Sequence, residues 1–260
     1  MLDRRPSGAA VPEGAGPASQ TLMRGLDLIE TIAQGSIGYV ELARKLGLNK
    51  ATTHRLASAL VERGYLSVTP RIGYRLGPKL LELGFVAQSQ VDLIQIARPH
   101  LEALSDATED TVRLGVLDQQ RVVYIEVVPG RRRITIASRP GDSQPLTSTS
   151  VGKALMLDED EGEWRARLAD DLAAGRPVVD PAQWLDQMRG FARTGYAFGM
   201  GENEDNIRGV AAPVRDASGR IAAAVSVTSP AQYMDDARMI DVSRDVCATA
   251  AAIGRELGFS

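Results

Sequence analysis

The sequence is poor in reactive side chains. It holds one cysteine, Cys247, and two histidines, His54 and His100. A single cysteine excludes a disulfide framework and any multi-thiolate metal site. The histidines are far apart and no His-Glu-x-x-His run exists, so no zinc site is expected. Gly-x-Ser-x-Gly is absent, which removes the nucleophile elbow. Val151-Gly152-Lys153-Ala154 hints at a phosphate loop. Yet Thr147 stands where its first glycine belongs, and Ala154 where a hydroxyl would hold magnesium. Gly199-Met200-Gly201 lacks the third glycine of a dinucleotide loop. The residues therefore predict no metal, no cofactor and no enzyme. No apolar stretch is long enough to cross a bilayer. Residues 1–19 are rich in Gly, Ala, Pro and Ser without the apolar core of a signal peptide, and read as a disordered tail on a cytoplasmic protein.

Charge is uneven. Residues 1–90 hold 11 Lys and Arg against 7 Asp and Glu, whereas residues 91–260 hold 19 against 26. A basic head on an acidic body attracts phosphate through one end only. The length allows two domains, each with its own core.

The basic head contains the most informative stretch, residues 40–66. Ala43 lets a second helix pack close, Gly47 suits the turn, and Asn49 can cap the next helix. Leu56, Leu60 and Val61 recur at helical spacing as a buried stripe. Lys50, Thr52, Thr53, His54 and Arg55 open the helix and read as the residues that reach base edges and phosphates. A β-wing follows: Tyr65–Val68 and Ile72–Leu76 flank the turn Thr69-Pro70-Arg71, with Arg71 and Arg75 beside the duplex backbone. Upstream, Leu22, Leu26, Ile29 and Ile32 predict an amphipathic helix over Thr21–Gln34, ended by Gly35-Ser36. A three-helix module without nucleic acid is the alternative for the pattern alone. The wing and the charge bias favour DNA.

Helices are predicted from Pro78 and over Val91–Asp106, with Pro99 kinking or restarting the second. Strands are expected at Thr111–Leu117, Val122–Val128, Ile134–Ala137, Tyr196–Met200, Ile207–Val214 and Ile221–Thr228. Gln119-Gln120 and Asp216–Gly219 are hairpin turns. Helices are expected at Val151–Asp158, Glu161–Ala173, Pro181–Thr194 and Tyr233–Leu257, where Cys247 is a small core residue. The fold class is α+β, with one central, mainly antiparallel sheet in the second half. The predicted domains are a winged helix-turn-helix at 20–77, a helical linker at 78–106 and an effector domain at 107–260. Arg131-Arg132-Arg133 reads as a solvated loop or subunit contact ahead of a phosphate site.

A small-molecule site is legible in outline. Ser148, Thr149 and Gly152 gather at a helix start, where N–H groups favour an anion. Ser226 and Thr228 share one face of a strand otherwise made of Ala and Val, so their hydroxyls need either backbone or ligand partners. Glu202, Asn203 and Glu204 either border that pocket or form a solvated loop.

Taken together, these segments resemble the IclR family of transcriptional regulators from about Gln20 to Phe259. The resemblance rests on Leu26-Asp-Leu-Ile-Glu30, Thr52–Leu56, Gly64-Tyr-Leu66 and Tyr74-Arg-Leu-Gly77 in the first half. Pro145-Leu146 with Val151–Leu155, Gly195-Tyr-Ala197, Ala211–Val214, Ala224–Val227 and Leu257-Gly258 carry it in the second. It implies a GAF-like effector domain, dimers or tetramers on palindromic operators in double-stranded DNA, and small organic or aromatic acids as effectors controlling catabolic genes. The DNA-facing set is then Ser36, Lys50, Thr52, Thr53, His54, Arg55, Arg71, Tyr74 and Arg75. The effector set is Ser148, Thr149, Gly152, Glu202, Gly209, Ser226 and Thr228. Two departures stand out: Asn206 where the family often has Gly, and Gly209 where it often has Cys. The expected function is a ligand-responsive repressor. An activator of the same type, or a DNA-binding protein without effector, are the alternatives.

Overall fold

The computed structural model describes residues 17–90, 92–175, 180–202 and 206–259. The chain divides after Gln90 into two units.

The first unit is built from α1 (Pro17–Ala33), α2 (Tyr39–Lys45), α3 (Lys50–Glu62), β1 (Leu66–Thr69), β2 (Gly73–Leu76) and α4 (Pro78–Gln90). α1 starts inside the expected tail, whose residues 1–16 lie outside the described residues. Leu28, Ile32, Ile37, Leu42, Ala57 and Leu66 form the core. The predicted stripe on α1 is therefore corrected: Leu28 and Ile32 turn inward, while Leu22 and Leu26 stay exposed. α1 is apolar on two faces, and the residues one turn apart at positions 28 and 32 are the pair that meets this small core. Gly47 adopts φ +61° in the turn between α2 and α3, a conformation that costs a side-chain-bearing residue about 1 kcal/mol. Asn49 then accepts a hydrogen bond from the Thr52 N–H at 2.8 Å and starts α3. β1 and β2 pair antiparallel from Leu66↔Leu76 to Thr69↔Gly73. Reciprocal backbone bonds between Tyr74 and Ile37 (3.0 and 3.2 Å) tie this wing to the segment before α2. Gly73 is required there, because a Cβ would lie 2.3 Å from the Ile37 carbonyl oxygen.

The second unit runs α5 (Leu93–Thr108), β3 (Thr111–Asp118), β4 (Arg121–Val128), β5 (Ser143–Pro145), α6 (Ser150–Leu155), α7 (Glu161–Ala173), α8 (Pro181–Thr194), β6 (Ala197–Gly199), β7 (Ile207–Arg215), β8 (Ile221–Pro230) and α9 (Asp236–Glu256). All strand pairs are antiparallel in the order β5-β4-β3-β8-β7-β6. One strand expectation fails, and of the two alternatives for Pro99 the restart does not occur. α5 passes through Pro99 without restarting. Pro99 is exposed, so water can satisfy the carbonyl its missing N–H leaves free. Ile134–Ala137 is not a strand; β5 takes the place beside β4. Arg132 holds that segment off the sheet, with Nε donating to Asp110 Oδ1 at 2.6 Å and Nη2 to the Thr108 carbonyl at 2.9 Å.

The alternation of β7 and β8 explains why helices cover both faces. Val210, Ala212, Val214, Val225 and Val227 point to one side, where α5 and α9 add Leu101, Leu104, Val242 and Val246. Gly209, Ala211, Ala224, Ser226 and Thr228 occupy the alternate positions. That face is nearly stripped of side chains, so the short α6 lies almost on the backbone of the sheet. A Cβ on Gly115 would meet Val151 at 2.6 Å, and one on Gly209 would meet Ser150 Oγ at 2.8 Å. Trp164, Trp184 and Met188 of α7 and α8 complete this second core.

Candidate DNA-reading surface and effector cleft

One face of α3 is free of the core. Lys50, Ala51, His54, Arg55 and Ser58 are exposed on it. Thr53 is not: it is completely buried, and its hydroxyl donates to the Asn49 carbonyl at 3.1 Å. The expectation that Thr53 meets base edges is therefore wrong. At 100° per residue it falls on the side of Ala57 and Leu60, which face the core. Thr52 is half-buried and serves the cap. His54 lies edge-on to Tyr39, with ring centroids 6.2 Å apart, and its Nδ1 is 3.5 Å from Ser58 Oγ. Tyr39 in turn donates its hydroxyl to the Lys50 carbonyl. Tyr39, Ala51 and Ser58 were missed by the sequence reading. The helical period counted from Arg55 would have found Ala51 and Ser58, while Tyr39 needs the packing of α2 on α3.

The wing adds Arg71 at its tip, exposed and left-handed at φ +68°, and Arg75, exposed on β2. Ser36 is exposed before α2. Tyr74 is half-buried against the core, and burial together with Tyr39 pushes its phenol above the usual tyrosine range. Among the described residues, Lys50, Arg55, Arg71 and Arg75 form no ion pair with the protein.

In the second unit, a cleft of about 390 Å³, mouth included, opens between α6 and the glycine-rich face of the sheet. It takes in Ser148, Thr149, Glu202, Gly209 and Thr228 of the predicted set. Two predicted residues do not line it. Gly152 is pressed against Leu146, whose carbonyl oxygen would lie 2.1 Å from an added Cβ, so its role is close packing of α6. Ser226 is fully buried below the lining, and its Oγ has no hydrogen-bond partner among the described residues. Asn203 and Glu204 lie outside the described residues. The expected anion site at the helix start is weakened as well. α6 has only six residues, and Thr149 already accepts from the Gly152 N–H at 3.0 Å and donates to the Pro145 carbonyl at 2.9 Å.

The structure adds charges that the sequence reading did not assign. Lys153 is fully buried and donates to Glu202 Oε1 and, at 3.1 Å, to the Phe198 carbonyl. Glu202 Oε2 accepts from the Met200 N–H at 2.6 Å, so the pair pins this loop to α6. Burial pushes the Lys153 ammonium below the usual lysine range, and the Glu202 carboxylate offsets part of that. Arg113 on β3 lines the cleft, 7% exposed. Its Nη1 donates to Tyr124 Oη at 3.3 Å and the guanidinium lies over that ring, 4.9 Å from the centroid. The signal for Arg113 was a cation inside the alternating run Thr111–Leu117, on the face shared with Gly115. The Arg131–Arg133 run, by contrast, is partly consumed internally: Arg131 pairs with Asp106 and Arg132 with Asp110, both at 2.6 Å.

Comparison with known proteins joins the two regions. Residues 21–70 match the family described as IclR helix-turn-helix domain, and residues 85–255 match Bacterial transcriptional regulator IclR C-terminal. The chain is 31% identical to the HTH-type transcriptional regulator XynR of Escherichia coli over 249 residues, covering 94% of this chain and 99% of that protein. It is also 31% identical to the DNA-binding transcriptional repressor YiaJ of the same organism over 252 residues, 93% of this chain and 89% of that one. The crystal structure of Pseudomonas aeruginosa HmgR superposes with a TM-score of 0.77 at 25% identity, covering 93% of this chain and 99% of that one. Among the described residues no helix is long and apolar enough to cross a membrane. With one half matching the family's DNA-binding domain and the other its C-terminal domain, the chain belongs to the IclR family of transcriptional regulators.

Proposed function

We propose that the protein is a cytoplasmic, ligand-responsive repressor of catabolic genes that binds a palindromic operator as a homodimer or homotetramer. The observation that carries this reading is the set of exposed cations on α3 and the wing that the protein leaves unpaired. Lys50, Arg55, Arg71 and Arg75 neutralise phosphates, while His54, Ala51 and Ser58 face base edges in the major groove. Two such heads spaced by roughly one helical turn, about 34–36 Å, read the two half-sites. The exposed apolar residues Leu22 and Met23 on α1 and Leu81 and Phe85 on α4 supply surface for self-association. The repressor sign is supported by YiaJ, which bears that word in its name.

The cleft takes the effector, a small organic or aromatic acid. Binding there shifts DNA affinity only if the effector prefers one arrangement of the paired heads. α4 and α5 follow one another across the junction and are the elements through which that preference passes. Fluorescence anisotropy tests the reading, with the upstream intergenic DNA against a scrambled duplex at physiological salt. Specific binding tighter by about a thousandfold supports it. Equal weak binding to both duplexes refutes it.

A further inference from the structure

Resting on the effector-cleft reading above, the chemistry of the effector can be narrowed. Arg113 is the only buried arginine among the described residues, and no described carboxylate pairs with it. Its Nε has no hydrogen-bond partner among the described residues. Directly opposite Arg113 in the β3–β8 register lies Ser226, whose buried Oγ is likewise without a partner. Two unsatisfied polar atoms side by side beneath one cleft are costly, above all when one belongs to a cation. Arg113 lines the cleft, so an anionic group entering there removes its share of that cost.

The rest of the lining favours an acid that also carries hydrogen-bonding groups. Ser148, Ser150, Thr228, Gln144 and Glu202 present polar atoms and glycines present backbone; among the described residues the apolar surface there is Ile207 and the Tyr124 ring, which the Arg113 guanidinium covers. A ring or an alkyl chain placed against these groups would desolvate them without replacing their hydrogen bonds. Charge count narrows the class further. Among the described residues Glu202 is already paired with Lys153, and Arg113 stands in the lining without a carboxylate partner. A second ligand carboxylate would meet Glu202 rather than another cation.

We propose that the cleft binds a small hydroxylated monocarboxylic acid, with the carboxylate on the Arg113 guanidinium and the hydroxyls on Thr228, Ser150 and Glu202.

The test is isothermal titration calorimetry of the full chain with a matched set of probes. D-glycerate and D-gluconate carry both features; hexanoate keeps the charge, sorbitol the hydroxyls, benzoate the ring, and D-glucarate adds a second carboxylate. The expected result is that D-glycerate or D-gluconate binds about tenfold or more tightly than every other probe. Arg113→Gln lowers that affinity about tenfold or more. Thr228→Val, a milder change, weakens the hydroxy acid while leaving hexanoate unchanged. Hexanoate, benzoate, sorbitol or D-glucarate equalling the hydroxy acids would overturn the proposal. So would wild-type affinity in a folded Arg113→Gln, equal effects of Thr228→Val on both probes, or no binding by either hydroxy acid. Operator anisotropy separates the two levels. Specific DNA binding without hydroxy-acid binding sinks this inference and leaves the regulator. Hydroxy-acid binding without specific DNA binding does the reverse.

Discussion

The two units handle charge in opposite ways. In the first, Lys79 and Glu82 at 2.7 Å are the one ion pair among the described residues, and the cations of α3 and the wing stand in water. In the second, arginines are matched again and again: Arg98 with Glu126, Arg208 with Asp236, Arg215 with Asp158, and Arg132 and Arg238 together on the buried Asp110. A cation already paired has little left for an external anion, whereas an exposed unpaired one binds phosphate as its counterions leave. The contrast sets the proposed DNA-reading surface apart from the second unit. It also isolates Arg113 as the buried exception in the second unit.

The comparison breaks hardest at the buried pair. Lys153→Ala leaves Glu202 buried without its cation and is expected to lower stability by about 3–5 kcal/mol, read as an earlier unfolding transition of the second unit in a thermal or urea melt. Lys153→Met combined with Glu202→Gln should recover most of the loss; no recovery would mean that the lysine stem, not the charge, matters. In the first unit the corresponding change leaves stability alone and strikes binding. His54→Ala should cost about 1–3 kcal/mol in operator affinity, more than on random DNA. Equal losses on both duplexes would take His54 off the bases. Thr53→Val sharpens the distinction within one helix. It removes the bond to the Asn49 carbonyl and should cost about 1 kcal/mol of stability with no change in base preference. Altered base preference would contradict its burial.

Smaller effects test the extremes of exposure. Arg71→Gly removes one cation and one left-handed side chain together. The salt slope of DNA binding should fall by about one, on every sequence alike, while stability stays level or rises by up to about 1 kcal/mol. Loss of stability instead would show that Arg71 holds the wing. In the second unit, the hydrogen bond from Arg215 holds the Asp158 carboxyl below the usual carboxylate range, against a smaller opposing effect of burial. A depressed carboxylate contributes stability that is present above its unfolded pKa and lost as pH falls through the folded one. Asp158→Asn should therefore lower stability near neutrality and have progressively less effect below about pH 4. A pH-independent effect would point to shape rather than charge.

Much of the first unit could be read directly, because its determinants are local. Gly47 and Asn49 act within a few residues of where they sit, and the turn and cap follow from backbone chemistry alone. The same reading misplaced Thr53 and the α1 stripe, since residue type suggested exposure for one and burial for Leu22 and Leu26. Only the position of the core decides between two faces of a helix. In the second unit, strands β3 and β4 and helices α7 and α8 lie close to where the sequence reading placed them. The Ile134–Ala137 segment was not, because its β-branched residues are overruled by Arg132 reaching Asp110. The cleft was half legible: Ser148, Thr149, Glu202, Gly209 and Thr228 line it, while Gly152 and Ser226 do not.

By itself, then, the sequence determined the two-part plan, the winged helix-turn-helix, the α+β class of the body and the bias of positive charge toward one end. These depend on periodicity, caps and composition, which act over short separations. The tertiary structure alone decided that Lys153 meets Glu202, that Arg113 lies opposite Ser226, and that α6 rests on a sheet face of glycine and alanine. Each joins residues far apart in the chain. The antiparallel register sets which side chains become neighbours, and burial sets what it costs to leave them without partners.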